Sequence, residues 1–126
     1  MGNIVMLKPR EGARLDAGRV EMLYVQLGPS GAEDVVCRAM EELAYRLTYI
    51  DRMYCDQNWA EMRKNTRALN AIAVQIGMNG LSRVAGDVIS CIDDADVIAL
   101  AATLSRLIRT GELSLTEIWD LQDLSV

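Results

Sequence analysis

The chain has 126 residues, 51% of them hydrophobic and 25% charged, a composition that fits one globular domain and excludes a disordered chain. A net charge of −5 argues against nucleic acid as a default partner. No apolar run is long enough to span a membrane, so a cytoplasmic protein is expected.

Phe is absent, and Leu, Ile, Val, Ala and seven Met remain to fill the interior, which suits helices packed on helices. Cys37, Cys55 and Cys91 are odd in number, widely separated and without CxxC spacing. They read as reduced thiols, not as a disulfide frame or a zinc site.

Residues 1–14 carry Pro9 and Gly12 and read as an N-terminal arm. Asp16 is placed to cap a short helix bearing Val20, Leu23, Tyr24 and Leu27, which Gly28-Pro29 stops. Ser30 and Glu33 have capping-box spacing and open the longest helix, whose seam is Val36, Met40, Leu43, Leu47, Ile50 and Tyr54. Asp56-Gln57-Asn58 ends it. Asn58 with Glu61 starts the next helix, on which Trp59, Met62, Thr66, Leu69, Ala73 and Ile76 repeat the seam.

Gly77 and Gly80 bracket a break, followed by Leu81, Val84, Ala85, Val88 and Ile92. Asp93 is expected to cap a fourth helix with the seam Ile98, Ala101, Leu104 and Ile108, and Gly111 to end it. Ser114 and Glu117 then start a short acidic helix; residues 111–126 hold four acids and no base, leaving −1 for the rest of the chain. Short connections between amphipathic segments predict an all-α fold, an antiparallel four-helix bundle over 15–110 with short extra helices at both ends.

With the seam of the second long helix turned inward, Arg67 falls on the side away from the core. Arg63 lies one turn before it, and Asn70, Ala71 and Val74 lie one to two turns after. That surface offers two guanidinium groups, an amide and a shallow apolar floor. Arg63, Lys64 and Arg67 also form a local cationic cluster, whose plain reading is a solvated helix face.

Asp56, Trp59, Met62, Leu69, Ile76, Gly77 and Leu81 stand nearly in the frame of the central helix of histidine-containing phosphotransfer (Hpt) domains of bacterial phosphorelays. Residues 15–36 likewise resemble that family's opening helix and its Leu-Gly turn, and the resemblance covers roughly residues 15–110. One spacing departs, because two residues separate Asp56 from Trp59 where the family often has none.

Counted from Trp59 or back from Gly77, the phospho-accepting histidine position falls on Arg67, the family's lysine on Asn70 and its glycine on Ala71. The chain contains no histidine. A phosphorelay histidine works because neutral imidazole is nucleophilic near neutral pH. Arg stays protonated and has no lone pair to offer, so phosphotransfer through this position is chemically excluded.

The resemblance implies a non-catalytic domain that binds a receiver domain or a histidine kinase through Arg63, Arg67, Asn70, Ala71 and Val74. Arg67 would reach toward an acidic pocket, since a planar guanidinium suits a carboxylate or phosphoryl group. The alternative is a structural module that self-associates, as a homodimer for example. No enzyme activity, metal or cofactor is expected; Asp93, Asp94 and Asp96 are explained as helix-capping residues. The acidic segment 111–126 could pack as a fifth helix, lie across the cationic cluster, or insert Ile118, Trp119 and Leu121 into a partner.

Overall fold

The computed structural model describes residues 16–124, apart from the side chains of residues 17, 119 and 121–124; the arm predicted for 1–14 lies outside the described residues. Four helices follow one another: α1 (Ala17–Cys55), α2 (Trp59–Gln75), α3 (Asn79–Asp93) and α4 (Val97–Leu124). Each packs on the next, and α4 closes the ring on α1. The all-α architecture is that of an up-and-down bundle.

All three connections are built alike. Gln57, Gly77 and Ala95 take left-handed backbone conformations, with φ of 57°, 80° and 54°. In each turn the next residue returns its N–H to a carbonyl five positions back: Asn58 to Met53 at 2.9 Å, Met78 to Ala73 at 2.8 Å, Asp96 to Cys91 at 3.0 Å. This is the Schellman closure, which satisfies carbonyls that a helix end would otherwise leave unpaired. The same returning residue then stands at the N-cap of the next helix. Asn58 Oδ1 accepts from the Glu61 N–H at 3.2 Å, and Asp96 Oδ1 from the Ala99 N–H at 3.1 Å.

The buried stripe of α1 is Ala32, Val36, Ala39, Leu43, Leu47, Ile50 and Met53. It meets Met62, Leu69, Ala73 and Ile76 of α2, Leu81, Val84, Ala85 and Val88 of α3, and Leu100, Leu104, Leu107 and Ile118 of α4 in one continuous core. Burying one such aliphatic side chain contributes about 1.5–3 kcal/mol. Thr66, fully buried on α2, satisfies its hydroxyl by donating to the Met62 carbonyl at 2.7 Å.

Several expectations are corrected. Among the described residues no helix stands apart from the four: the short helix expected before Gly28-Pro29 is the first piece of α1, and the one expected after Gly111 is part of α4. The helix starting at Ala17 and the one leading to Cys55 meet at Gly28, whose φ of 77° and ψ of 167° make a kink within α1. Pro29 already belongs to the second piece, so Ser30 is not its cap; Pro tolerates a first helical turn because its missing N–H has no partner there anyway.

Gly111 does not end α4, which runs on to Leu124. Gly111 is buried instead, and a Cβ there would stand 2.5 Å from Leu47 Cδ1. Ser114 is likewise buried within α4 rather than capping a new helix. The seam of α4 also sits on a different phase. Ile98 is 86% exposed and Ala101 exposed, while Leu100, Leu104, Leu107, Thr110 and Ser114 face inward. Asp96, not Asp93, caps α4, and Asp93 is the last residue of α3.

Among the described residues α4 contacts α1 and α3 but not α2, so the described part of its acidic end does not lie across Arg63, Lys64 and Arg67. Among the described residues, no helix is long and apolar enough to cross a membrane.

The left-handed positions generate a paired prediction. An L-residue there costs about 1–2 kcal/mol, and glycine's extra freedom in the unfolded chain takes back about 0.5–1 kcal/mol. Ala95→Gly should therefore stabilise by about 0.5–1 kcal/mol in urea denaturation. Gly77→Ala should destabilise by more than about 1 kcal/mol, because its Cβ would also meet Arg19 Cβ at 2.9 Å. Equal midpoints for wild type and both variants would contradict these roles.

Candidate functional site

Helix α2 turns Met62, Asn65, Thr66, Leu69, Ile72 and Ala73 inward. Packing against α1 on one flank and α3 on the other leaves a single outward strip. Lys64, Arg67, Ala71 and Val74 are exposed along it, Val74 at 51%. Arg63 and Asn70 stand at its edge, half-buried, on the side of α3.

The five residues singled out from sequence thus divide into two sets. Arg63 is engaged in a two-pronged bond to Asp93 at the end of α3, Nε to Oδ1 at 2.7 Å and Nη2 to Oδ2 at 3.0 Å. Asn70 accepts a hydrogen bond from the Ser82 hydroxyl of α3. Both are ties between helices before they are anything else. Arg67 makes no hydrogen bond or ion pair with any described residue, and Ala71 and Val74 lie one and two turns beyond it.

Lys64 shares the same strip and was read from sequence only as part of a charge cluster. Asp93 was read as a cap, because nothing local distinguishes a capping aspartate from one that pairs across helices. The buried polar position Asn65 carried a signal, a polar side chain one residue off the seam between Met62 and Leu69. It accepts from Arg46 Nη1 of α1, and its own amide donates to the Glu61 carbonyl at 2.8 Å. Arg46 Nη2 also reaches Glu42 at 3.2 Å. This network fixes the α1 flank of α2 as Arg63–Asp93 and Ser82–Asn70 fix the α3 flank.

Chemically, the strip can donate hydrogen bonds and positive charge. Arg67 offers a planar fork suited to a carboxylate or a phosphoryl group, and Lys64 a second cation. Ala71 keeps the backbone within reach of a broad surface. Neither Arg nor Lys at this strip is a lone-pair nucleophile in its charged form.

Elsewhere, an open apolar cleft of about 370 Å³ lies between α1 and α4, lined by Met40, Ala44, Leu115 and Thr116. It belongs to the side of the ring away from α2 and brings no charged group to bear. Among the described residues, no three Cys, Asp or Glu side chains come together as a metal site.

Comparison with protein-family models, curated proteins and solved structures finds no match. The likeness to phosphotransfer domains therefore rests on the residues of the chain itself.

The Arg63–Asp93 pair has a pH signature. The hydrogen bond from Arg63 holds the Asp93 carboxyl below the ordinary aspartate value; desolvation opposes this, and the attraction of the guanidinium charge adds to it. With the folded value depressed, the pair's contribution is present above the unfolded value near ~3.9 and is lost as pH falls through the folded value. A carboxyl-carbon NMR titration should show Asp93 titrating below the ordinary aspartate value and rising toward it in Arg63→Gln. An unchanged titration in that variant would remove the pair from the picture.

Proposed function

We propose that this chain is a non-catalytic relative of phosphotransfer domains, docking a receiver or histidine-kinase domain in the cytoplasm through the outer strip of α2. The observation that carries the reading is the state of Arg67. It sits at the position where the family resemblance puts the reactive histidine, exposed and without a hydrogen bond or ion pair to any described residue. Its neighbours at the edge of the strip are held by α3. A fixed helix presenting one uncommitted guanidinium above a small residue and a half-exposed Val74 suits an acidic concavity on another protein.

Arg67 accepts no phosphate, so the proposed role is occupancy: the chain holds a partner's acidic pocket and competes with true phosphotransfer proteins for it. Arg63 and Asn70 act here by holding α2 in place. Lys64, Arg67, Ala71 and Val74 supply the contact.

A second reading, self-association as a structural module, is favoured by one observation. Val97 and Ile98, at the start of α4, are 62% and 86% exposed, on a helix that does not touch α2.

Affinity capture from lysate of the source cell, wild type against Arg67→Glu, tests the proposal. Receiver or kinase domains should be enriched by wild type and reduced at least about tenfold by the charge reversal, the size of effect that follows from losing a charged contact. Circular dichroism should be unchanged, since Arg67 is exposed. Recovery of only the chain itself, lost on Ile98→Asp and indifferent to Arg67→Glu, would transfer the assignment to self-association.

A further inference from the structure

We infer that residues 16–27 form a hinged strap, latched on the turn between α2 and α3 and able to open as a unit while the bundle stays folded. This inference stands apart from the docking proposal and rests on three features of the N-terminal piece of α1.

The first is the hinge. Gly28 has φ of 77° and ψ of 167°, a region open essentially to glycine alone. Pro29 disfavours helical backbone at the residue before it and removes an N–H donor. The two residues therefore break α1 into independent pieces wherever the first one lies. The piece that follows, 29–55, is long enough to reach about 40 Å, against about 25 Å for α2. From the hinge the strap returns to the turn between α2 and α3.

The second is the latch. The Asp16 N–H donates to the Gly77 carbonyl at 2.6 Å, and Arg19 Nε donates to the Gln75 carbonyl at 3.0 Å. Gln75 is the last residue of α2, where carbonyls lack intrahelical partners and a cation is favoured, and Gly77 lies in the turn that follows. The approach is close because Gly77 has no side chain: a Cβ would stand 3.0 Å from the Asp16 carbonyl oxygen.

The third is the weak hold in between. No strap residue with a described side chain is fully buried, and the first buried side chain of α1 is Ala32. Leu23 packs against the core, but Met22, Val25 and Leu27 are 49%, 79% and 48% exposed. A segment with few buried contacts, tied by exposed polar bonds and bounded by a hinge, opens at a lower free energy than the core. Opening removes the Arg19 guanidinium from the end of α2 and frees an apolar helix face comprising Val20, Leu23 and Tyr24.

Native-state hydrogen exchange on the full chain tests this. Amides of 20–27 should exchange at least about tenfold faster than those of 43–53, with little dependence on sub-denaturing urea. Arg19→Ala should speed exchange across 20–27 and leave 43–53 unchanged. Strap amides that exchange at the rate and with the urea dependence of 43–53 would overturn the inference. So would an Arg19→Ala variant that accelerates all helices equally, or none.

Discussion

The structure depends on the tightness of its three turns. Each ends one helix with a single left-handed residue and starts the next at the residue after it. No slack remains for a helix to cross the bundle, so consecutive helices must lie side by side and antiparallel. The ring order α1, α2, α3, α4 follows directly, and so does the position of α2: flanked on two sides, buried on a third, and open only along one strip. A longer connection at residues 56–58 or 76–78 would have let another element cover that strip.

Within this frame, polar side chains of α2 are sorted by geometry. Asn65 faces α1 and is consumed by Arg46; Arg63 and Asn70 face α3 and are consumed by Asp93 and Ser82. Only the residues pointing straight out escape pairing. Among the described residues, the same sorting that holds α2 in place leaves Arg67 and Lys64 without a hydrogen bond or ion pair. Rigidity and an uncommitted charge are what a docking element needs, because little freedom is lost on association. The acidic half of α4 packs on the ring opposite this strip, against α1 and α3.

Local chemistry was legible at several helix ends, where a residue acts on its own backbone. The caps Asp16 and Asn58, the end of α1 at residues 55–58 and the break at Gly77 are all of this kind. Sequence reading failed where a distant partner decided the outcome. Gly111 carries the signature of a helix end, yet Leu47 uses its missing side chain for close approach between α1 and α4, and the helix continues. The stretch VIALAATLSRLI is apolar on most of its circumference, so two phases of the seam fit its period; only packing selects Leu100 and Leu107 over Ile98 and Ala101. The left-handed turn residue Ala95 gives no sign of itself, which hid the true cap at Asp96 and the pairing of Asp93 with Arg63. For the site, exposure of Arg67, Ala71 and Val74 followed from the helical period, whereas the engagement of Arg63 and Asn70 required knowing what α3 places opposite them.

The most direct test of the outer strip of α2 as a recognition surface is amide shift mapping of the labelled protein titrated with a purified receiver domain from the same cell. Saturable shifts centred on Lys64, Arg67, Ala71 and Val74, with the start of α4 silent, are the predicted result. Shifts centred on Val97 and Ile98, or none at receiver concentrations that saturate a true phosphotransfer domain, would contradict it.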